Sequence, residues 1–262
     1  MMLAAEELSF GYRGRPVGTG LSLALRPGEV VALLGPNGGG KTTLLKTLIG
    51  LLPPIAGSIT LDGTAIERLA PRERARAIGY VPQAHGGSFA FSVLDAVLMG
   101  RTAHQGLFAA PSRRDRAAAG AALDRLGLGA LAARPVTEIS GGERQLAMIA
   151  RALAQEPRLV VLDEPTASLD FGNQGRVMAE IRALGAAGLG VLFTTHDPNQ
   201  ARRFADRAVL IRAGREVAAG PVDRVLTRAS LEALYGAPVE IVGGAASEPT
   251  AFLPGTPAPS RS

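Results

Sequence analysis

The 262-residue chain contains no cysteine. That excludes a disulfide framework, thiolate catalysis and a cysteine-bound zinc site, and it fits a reducing compartment. No apolar run approaches the roughly 20 residues that span a bilayer, and no leader-like stretch precedes Leu3, so a cytoplasmic chain is expected. Lysine is nearly absent: of 28 basic residues only Lys41 and Lys46 are not arginine. The net charge of +5 favours anionic partners, but the arginines are scattered rather than blocked, as on a solvated basic surface. No internal repeat is visible. A hydrophobic content of 47% suffices to bury a full core at this length, and one α/β domain with an insertion is expected rather than two independent domains.

One of the two lysines stands in a glycine-rich stretch, Gly35-Pro36-Asn37-Gly38-Gly39-Gly40-Lys41-Thr42-Thr43, between the apolar run Val30 to Leu34 and a helix-period segment from Thr42 to Leu52. Glycines at 35, 38, 39 and 40 let the backbone turn tightly and aim successive N–H groups inward, at the positive end of the following helix. A polyphosphate fits that concavity. Lys41 would reach the β and γ phosphates, and the Thr42 hydroxyl would serve Mg²⁺. In a chain that uses arginine almost everywhere, the compact ammonium at this position suits a point-charge role that a planar guanidinium does not.

The first 25 residues alternate, with Leu8 and Phe10, then Leu21, Leu23 and Leu25, as half-buried antiparallel strands do. Tyr12, in a glycine-rich turn, offers a ring that could stack on a nucleobase or simply pack at a strand end. Ile59 and Leu61 before Asp62-Gly63 read as another hairpin edge, and residues 72 to 76 as a charged helical stretch. Ile78 to Gln83 is a short strand closed by Pro82, with the Gln83 amide at its end.

From Ala84 to about Glu156 the pattern is that of a helical insertion between two core strands. It holds a capping arrangement at Ser92 to Asp95 and an Ala/Arg-rich helix from Arg113 to Leu126. Phe89, Phe91 and Met99 near its start read either as a partner-docking patch or as core packing.

Ser140-Gly141-Gly142 opens a second helix in which the bare N–H groups and a hydroxyl make an anion site, although a ligand-free N-cap has the same residues. Leu159 to Leu162 is a buried strand ending in Asp163 and Glu164. Carboxylates at the carboxyl end of a parallel strand face the same crevice as the phosphate loop. Asp163 is therefore a candidate for Mg²⁺, and Glu164 for orienting or deprotonating the attacking water. Ser168-Leu169-Asp170 follows in a turn. A later strand, Val191 to Thr195, ends in His196, which could hydrogen-bond a γ-phosphate. Another strand, Ala208 to Ile211, and a helical stretch from Val222 to Tyr235 follow. Residues 243 to 262 are rich in Pro, Gly, Ser and Ala, the composition of a disordered tail whose removal should leave catalysis intact.

Together these residues resemble the nucleotide-binding subunit of ATP-binding cassette transporters from Leu3 to roughly Val242. Gly35 to Thr43 matches the Walker A loop, Gln83 the Q-loop, Ile139 to Gln145 the signature, Leu159 to Glu164 the Walker B strand, and His196 the switch histidine. The resemblance implies a P-loop NTPase (RecA-like) α/β core with an N-terminal antiparallel β subdomain and an inserted α-helical subdomain, about residues 84–156. It further implies a head-to-tail homodimer, with ATP between the Walker A loop of one copy and the signature of the other.

On that model Tyr12 stacks on adenine, and Lys41 with the loop amides of Gly35, Asn37, Gly38, Gly40 and Thr43 binds phosphate. Thr42, Gln83 and Asp163 serve Mg²⁺, Glu164 polarises water and His196 meets the γ-phosphate. Ser140, Gly141 and Gly142 act across the interface, and Asp170 couples the two sites. Four positions depart from the usual pattern: Gly39, Ile139, Glu143 and Leu146. Separate integral membrane permease subunits and, indirectly, a periplasmic or lipid-anchored solute-binding protein are the implied partners, with the ATPase peripheral on the cytoplasmic face of the inner membrane. No nucleic acid is expected. The phrases from Phe89 to Asp95 and from Ser168 to Gln174 look most like importers of iron-siderophore, haem, cobalamin or molybdate type. An exporter ATPase, and a soluble cassette protein acting on nucleic acid or ribosomes, stay open as alternatives.

Overall fold

The computed structural model describes residues 2–12, 14–83, 91–106, 109–243 and 251–255. Strands β1 (Leu3–Tyr12) and β2 (Arg15–Leu25) form a hairpin. Then β3 (Val30–Leu34) leads through the glycine loop into α1 (Lys41–Leu48), and β4 (Ala56–Leu61) turns into β5 (Thr64–Ala65). Next come α2 (Pro71–Ala77), β6 (Ile78–Val81), α3 (Val93–Leu98), α4 (Arg113–Arg125), α5 (Gly141–Leu153) and β7 (Leu159–Leu162). The chain continues with α6 (Phe171–Ala186), β8 (Gly190–Thr195), α7 (Pro198–Phe204), β9 (Arg207–Arg212) and β10 (Arg215–Pro221). It closes with α8 (Val222–Val225), α9 (Arg228–Tyr235), β11 (Val239–Val242) and β12 (Ala251–Pro254).

The central sheet has the order β10-β9-β3-β8-β7-β6, parallel except for the edge strand β10. Its middle strand explains why no alternation marks Val30 to Leu34: both faces are covered. Val30, Ala32 and Leu34 face one core with Ile149 of α5, Ile181 of α6 and Leu231 of α9. Val31 and Leu33 face another, filled by Leu44 and Leu48 of α1 and by the antiparallel sheet β2-β1-β4-β5. The alternation in β1 changes phase midway. Leu3 and Ala5 point inward, then Leu8 and Phe10 do, because the pairing register slips between Ala5 and Leu8, with Glu7 at φ 46°. That is the signature of a bulge.

Helix α1 stops at Leu48, four residues short of the expected end. Gly50 takes φ 71°, and the N–H groups of Leu51 and Leu52 return to the Lys46 carbonyl, a glycine-terminated helix end. The stretch expected to be helical from Val222 to Tyr235 is broken, with Thr227 capping α9 through the N–H of Ser230 at 3.2 Å. Phe89 lies outside the described residues. Phe91 and Met99 are 45% and 44% exposed, so the core-packing alternative does not hold for these two.

Below them sits Arg101, 1% exposed. Its Nε donates to Asp115 Oδ1 at 2.9 Å, and one terminal nitrogen donates to the Ala154 carbonyl at 2.6 Å and to Glu156 Oε2 at 2.8 Å. The hydrogen bond from Ser112, followed by that from Arg101, pulls the Asp115 carboxyl down to about 2. Arg101→Met leaves the buried Asp115 carboxylate without its cation, whereas the half-exposed Glu156 falls back on water, and is expected to destabilise the chain by about 3 kcal/mol, the scale for removing one partner of a buried pair, read from a denaturant midpoint. Because the folded value of Asp115 lies below its ordinary 3.8, its contribution is present at neutral pH. It disappears as pH falls from the ordinary value towards the folded one.

The expectation of a disordered tail from residue 243 is corrected at 251–254. There β12 pairs antiparallel with β11, Phe252 opposite Ile241, and Phe252 is 4% exposed within the main core. A four-residue run in a Pro/Gly-rich background is too short for periodicity to register, and its anchor, Asn199, lies 53 residues away.

Candidate functional site

Parallel pairing brings the carboxyl ends of four strands together. Val81 pairs with Leu162, Leu162 with Phe193, and Leu34 with Thr195. Each strand is followed by a singled-out group: the glycine loop after β3, Gln83 after β6, Asp163 and Glu164 after β7, and His196 after β8. The crevice outside the carboxyl ends is where open α/β sheets bind ligands.

Within the glycine loop, Gly40 caps α1 at φ 93°, and a side chain there would press on Val17 from β2. Both facts demand glycine. Lys41, 4% exposed, curls back under the loop. Its Nζ donates to the carbonyls of Gly35 at 2.7 Å and Pro36 at 3.1 Å, and lies 3.2 Å from Glu164 Oε1. An ammonium has three protons, and these three acceptors use them all.

Glu164 is the centre of the group. Its other oxygen, Oε2, accepts from Gln83 Nε2 at 3.5 Å and stands 3.7 Å from His196 Nδ1. Its backbone is left-handed, φ 44°, at a cost of about 1–2 kcal/mol for a residue with a Cβ. Thr194 holds it there. The Thr194 hydroxyl accepts the Glu164 N–H at 2.7 Å and donates to Asp163 Oδ1 at 2.8 Å, so a single side chain orients both acids. Asp163 is 1% exposed and stands behind the cavity wall. That cavity, about 500 Å³, is lined by Val17, residues 37–43, Gln83 and Glu164.

Not every expected residue reaches it. Tyr12, 52% exposed, is outside the lining, at the end of β1 opposite Arg15. Ser140, Gly141 and Gly142 are also outside it. They form the start of α5 in a capping box: Ser140 Oγ accepts the Glu143 N–H at 3.2 Å, and the Ser140 N–H donates to Glu143 Oε2 at 2.8 Å. That backbone bond, followed by the Ser140 side chain, holds the Glu143 carboxyl below its ordinary value. Asp170 caps α6, accepting the N–H of Asn173 at 2.9 Å and its side-chain amide at 2.8 Å. A Cβ at Gly142 would collide with the Asn173 amide oxygen, so α5 starts flush against the residue that Asp170 binds.

Residues 19–167, more than half of the chain, match the family model described as ABC transporter. The chain belongs to the ABC transporter family. It is one of the family's ATPase subunits, hydrolysing ATP in work coupled to transport. It is 40% identical to the hemin import ATP-binding protein HmuV of Burkholderia lata, covering 97% of this chain and 100% of that one. It is 41% identical to the molybdate import ATP-binding protein MolC of Haemophilus influenzae, over 90% and 89%. A solved inward-facing ABC transporter of metal-chelate type superposes with a TM-score of 0.84 at 39% identity, covering 97% of both chains. Those likenesses agree with the α/β P-loop core, antiparallel sheet and helical insert of this ABC ATPase.

Val17 and Thr194 escaped the sequence reading of the ABC site. Val17 lines the cavity only because β2 folds over the glycine loop. Thr194 did leave a signal: two threonines, 194 and 195, end an otherwise apolar strand. Thr195 belongs to a further polar chain, donating to Gln200 Oε1 at 3.0 Å beside Thr166 at 3.2 Å. No helix among the described residues is long and apolar enough to cross a membrane.

Proposed function

We propose that this ABC ATPase powers import of a metal chelate or oxyanion, of the haem, iron-siderophore, cobalamin or molybdate kind. Two identical copies close head to tail on ATP beneath separate permease subunits, at the cytoplasmic face of the inner membrane. A solute-binding protein delivers cargo from the other side. The observation that carries the reading is the meeting of Lys41, at the start of α1, and Glu164, just after β7, at 3.2 Å in the wall of one cavity. Ser140 to Gly142 stand outside that wall, so a second copy is needed to bring its α5 start to the phosphates.

In this scheme the loop amides from Gly35 to Thr43 and the Lys41 ammonium hold the phosphates. Tyr12, exposed above the antiparallel sheet, stacks on adenine. Thr42 and Gln83 in the cavity wall, with Asp163 behind it acting through water, would hold Mg²⁺, which favours one or two carboxylates completed by phosphate and water. When bound, the ion neutralises charge on the phosphates. Glu164 orients the attacking water, and His196 donates to the γ-phosphate once Glu164 and Lys41 part. Ser140 with the N–H groups of Gly141 and Gly142 closes on the phosphate from the partner side, and Asp170 links the two half-sites. The ATPase unit spans 1–242 with its helical subdomain at about 84–156, and β12 is added to it. The exposed Phe91 and Met99 lie where a permease contact is expected.

Affinity purification of the chain from its native membrane tests the proposal. Co-purifying polytopic subunits and a solute-binding protein, with MgATP-dependent release of phosphate, are expected. Recovery on ribosomes or DNA, without membrane subunits, would overturn it.

A further inference from the structure

Residues 196–199 are held from two places that the proposed chemistry does not use. The Tyr235 hydroxyl, at the end of α9, donates to the His196 carbonyl at 2.7 Å. Three residues on, the Asn199 side chain makes a two-point pairing with the backbone of Phe252 in β12. Nδ2 donates to the Phe252 carbonyl at 3.0 Å, and Oδ1 accepts the Phe252 N–H at 2.8 Å. Asn199 thus offers β12 the rung of a missing strand. The far sides of both contacts are anchored. Tyr235 packs against the main core, the Phe252 ring is buried in it, and Glu232 Oε1 accepts the Val239 N–H at 3.2 Å, tying α9 to β11.

The Thr195 hydroxyl accepts the Asp197 N–H at 3.0 Å and Asp197 Oδ1 accepts that of Asn199 at 2.8 Å. These local bonds fix the turn's internal shape. Through Thr195, the last residue of β8, they also tie the start of the turn to the central sheet. Tyr235 and Phe252 add the remaining anchors, on the side of the turn away from β8, where the His196 imidazole, 54% exposed, stands over Glu164.

We infer that the C-terminal element, Tyr235 together with the β11–β12 hairpin, is a positioning device for His196, which sets the hydrolysis rate without touching nucleotide. This rests on the reading that His196 meets the γ-phosphate. It predicts, against the expectation that removing residues 243–262 leaves catalysis intact, that loss of β12 lowers the rate. Tyr235 and Asn199 are positioning residues: the first fixes the His196 backbone directly, the second through the hairpin. A displacement of about 1 Å in a reacting group suffices to cost up to two decades in rate, so loss of a single anchor is expected to be visible.

The test is steady-state MgATP hydrolysis and nucleotide affinity for the full chain and for Tyr235→Phe, Asn199→Leu, His196→Ala and the double variant His196→Ala/Tyr235→Phe. Tyr235→Phe keeps the ring and deletes only the hydroxyl, so folding is spared. It is expected to lower kcat about tenfold with nucleotide affinity within about twofold, and Asn199→Leu to act in the same direction. In the His196→Ala background the Tyr235→Phe change should add nothing, since the group being positioned is gone. A merely structural hydroxyl would cost the same factor in both backgrounds, and that result overturns the inference. So does wild-type kcat in Tyr235→Phe while His196→Ala is impaired. An unimpaired His196→Ala overturns the histidine assignment itself, and the inference with it.

Discussion

Glu164→Gln is expected to cut MgATP hydrolysis by about 10²–10⁴-fold, the usual contribution of a positioned base, or roughly 3–5 kcal/mol of barrier at 1.36 kcal/mol per decade. The substitution keeps size and leaves an amide oxygen facing Lys41, but it removes the charge that, on the proposed reading, orients and draws a proton from water. Binding should move the other way. Glu164 Oε1 stands 3.2 Å from Lys41 Nζ, while Oε2 meets Gln83 at 3.5 Å and His196 at 3.7 Å. On the proposed reading phosphate displaces these contacts. With the carboxylate neutralised, Lys41 and His196 are released more cheaply, so MgATP affinity is expected to equal or exceed that of the parent. A closed dimer should then accumulate in MgATP, visible by size-exclusion chromatography. Hydrolysis at the parental rate would remove Glu164 from the water-orienting role.

Lys41→Ala should act on binding first, weakening MgATP affinity about 30-fold, near the low end of what truncating one partner of a hydrogen-bonded charge pair costs. The figure is low for a reason seen in the site. Lys41 is held by two carbonyls and a carboxylate, so on the proposed reading its net contribution to phosphate binding is what remains after any of those bonds that phosphate replaces. The two variants therefore interact. In the Glu164→Gln background the Lys41–Glu164 ion pair is already gone, and Lys41→Ala should cost more affinity than in the parent. Equal costs in both backgrounds, by equilibrium binding of a fluorescent nucleotide, would show that the Lys41–Glu164 pair does not compete with phosphate.

The glycine loop and the acids at the end of β7 were legible because each depends on local chemistry. A tight turn needs Gly40 whatever surrounds it, and a buried parallel strand such as Leu159–Leu162 leaves polar groups only at its end. Helix α5 was legible from its cap and its apolar positions. Contacts made by distant chain segments left no such trace. Thr194 is marked only as one of two threonines ending an apolar strand, and its hold on both acids shows only when β7 and β8 are set side by side. The phase change in β1 needs the β2 register to reveal the bulge at Glu7. β12 is invisible without Asn199, because four residues carry too little apolar pattern to stand out from a Pro-rich tail. Tyr12 and Ser140 fall between these cases: both elements were foreseen, yet neither residue lines the cavity in a single chain.

Arg101 gives the helical insertion a mechanical property. It stands two residues after the exposed Met99 and grips Asp115 in α4 and both Ala154 and Glu156, just ahead of the strand that presents Asp163 and Glu164. Gly100 lies so close to the Arg151 backbone that no side chain would fit between them. The corner of the insertion is thus stiff where bending would be easiest. If the proposed permease contact falls at Met99, a load there would reach the segment leading into β7 through these bonds rather than through a compliant loop.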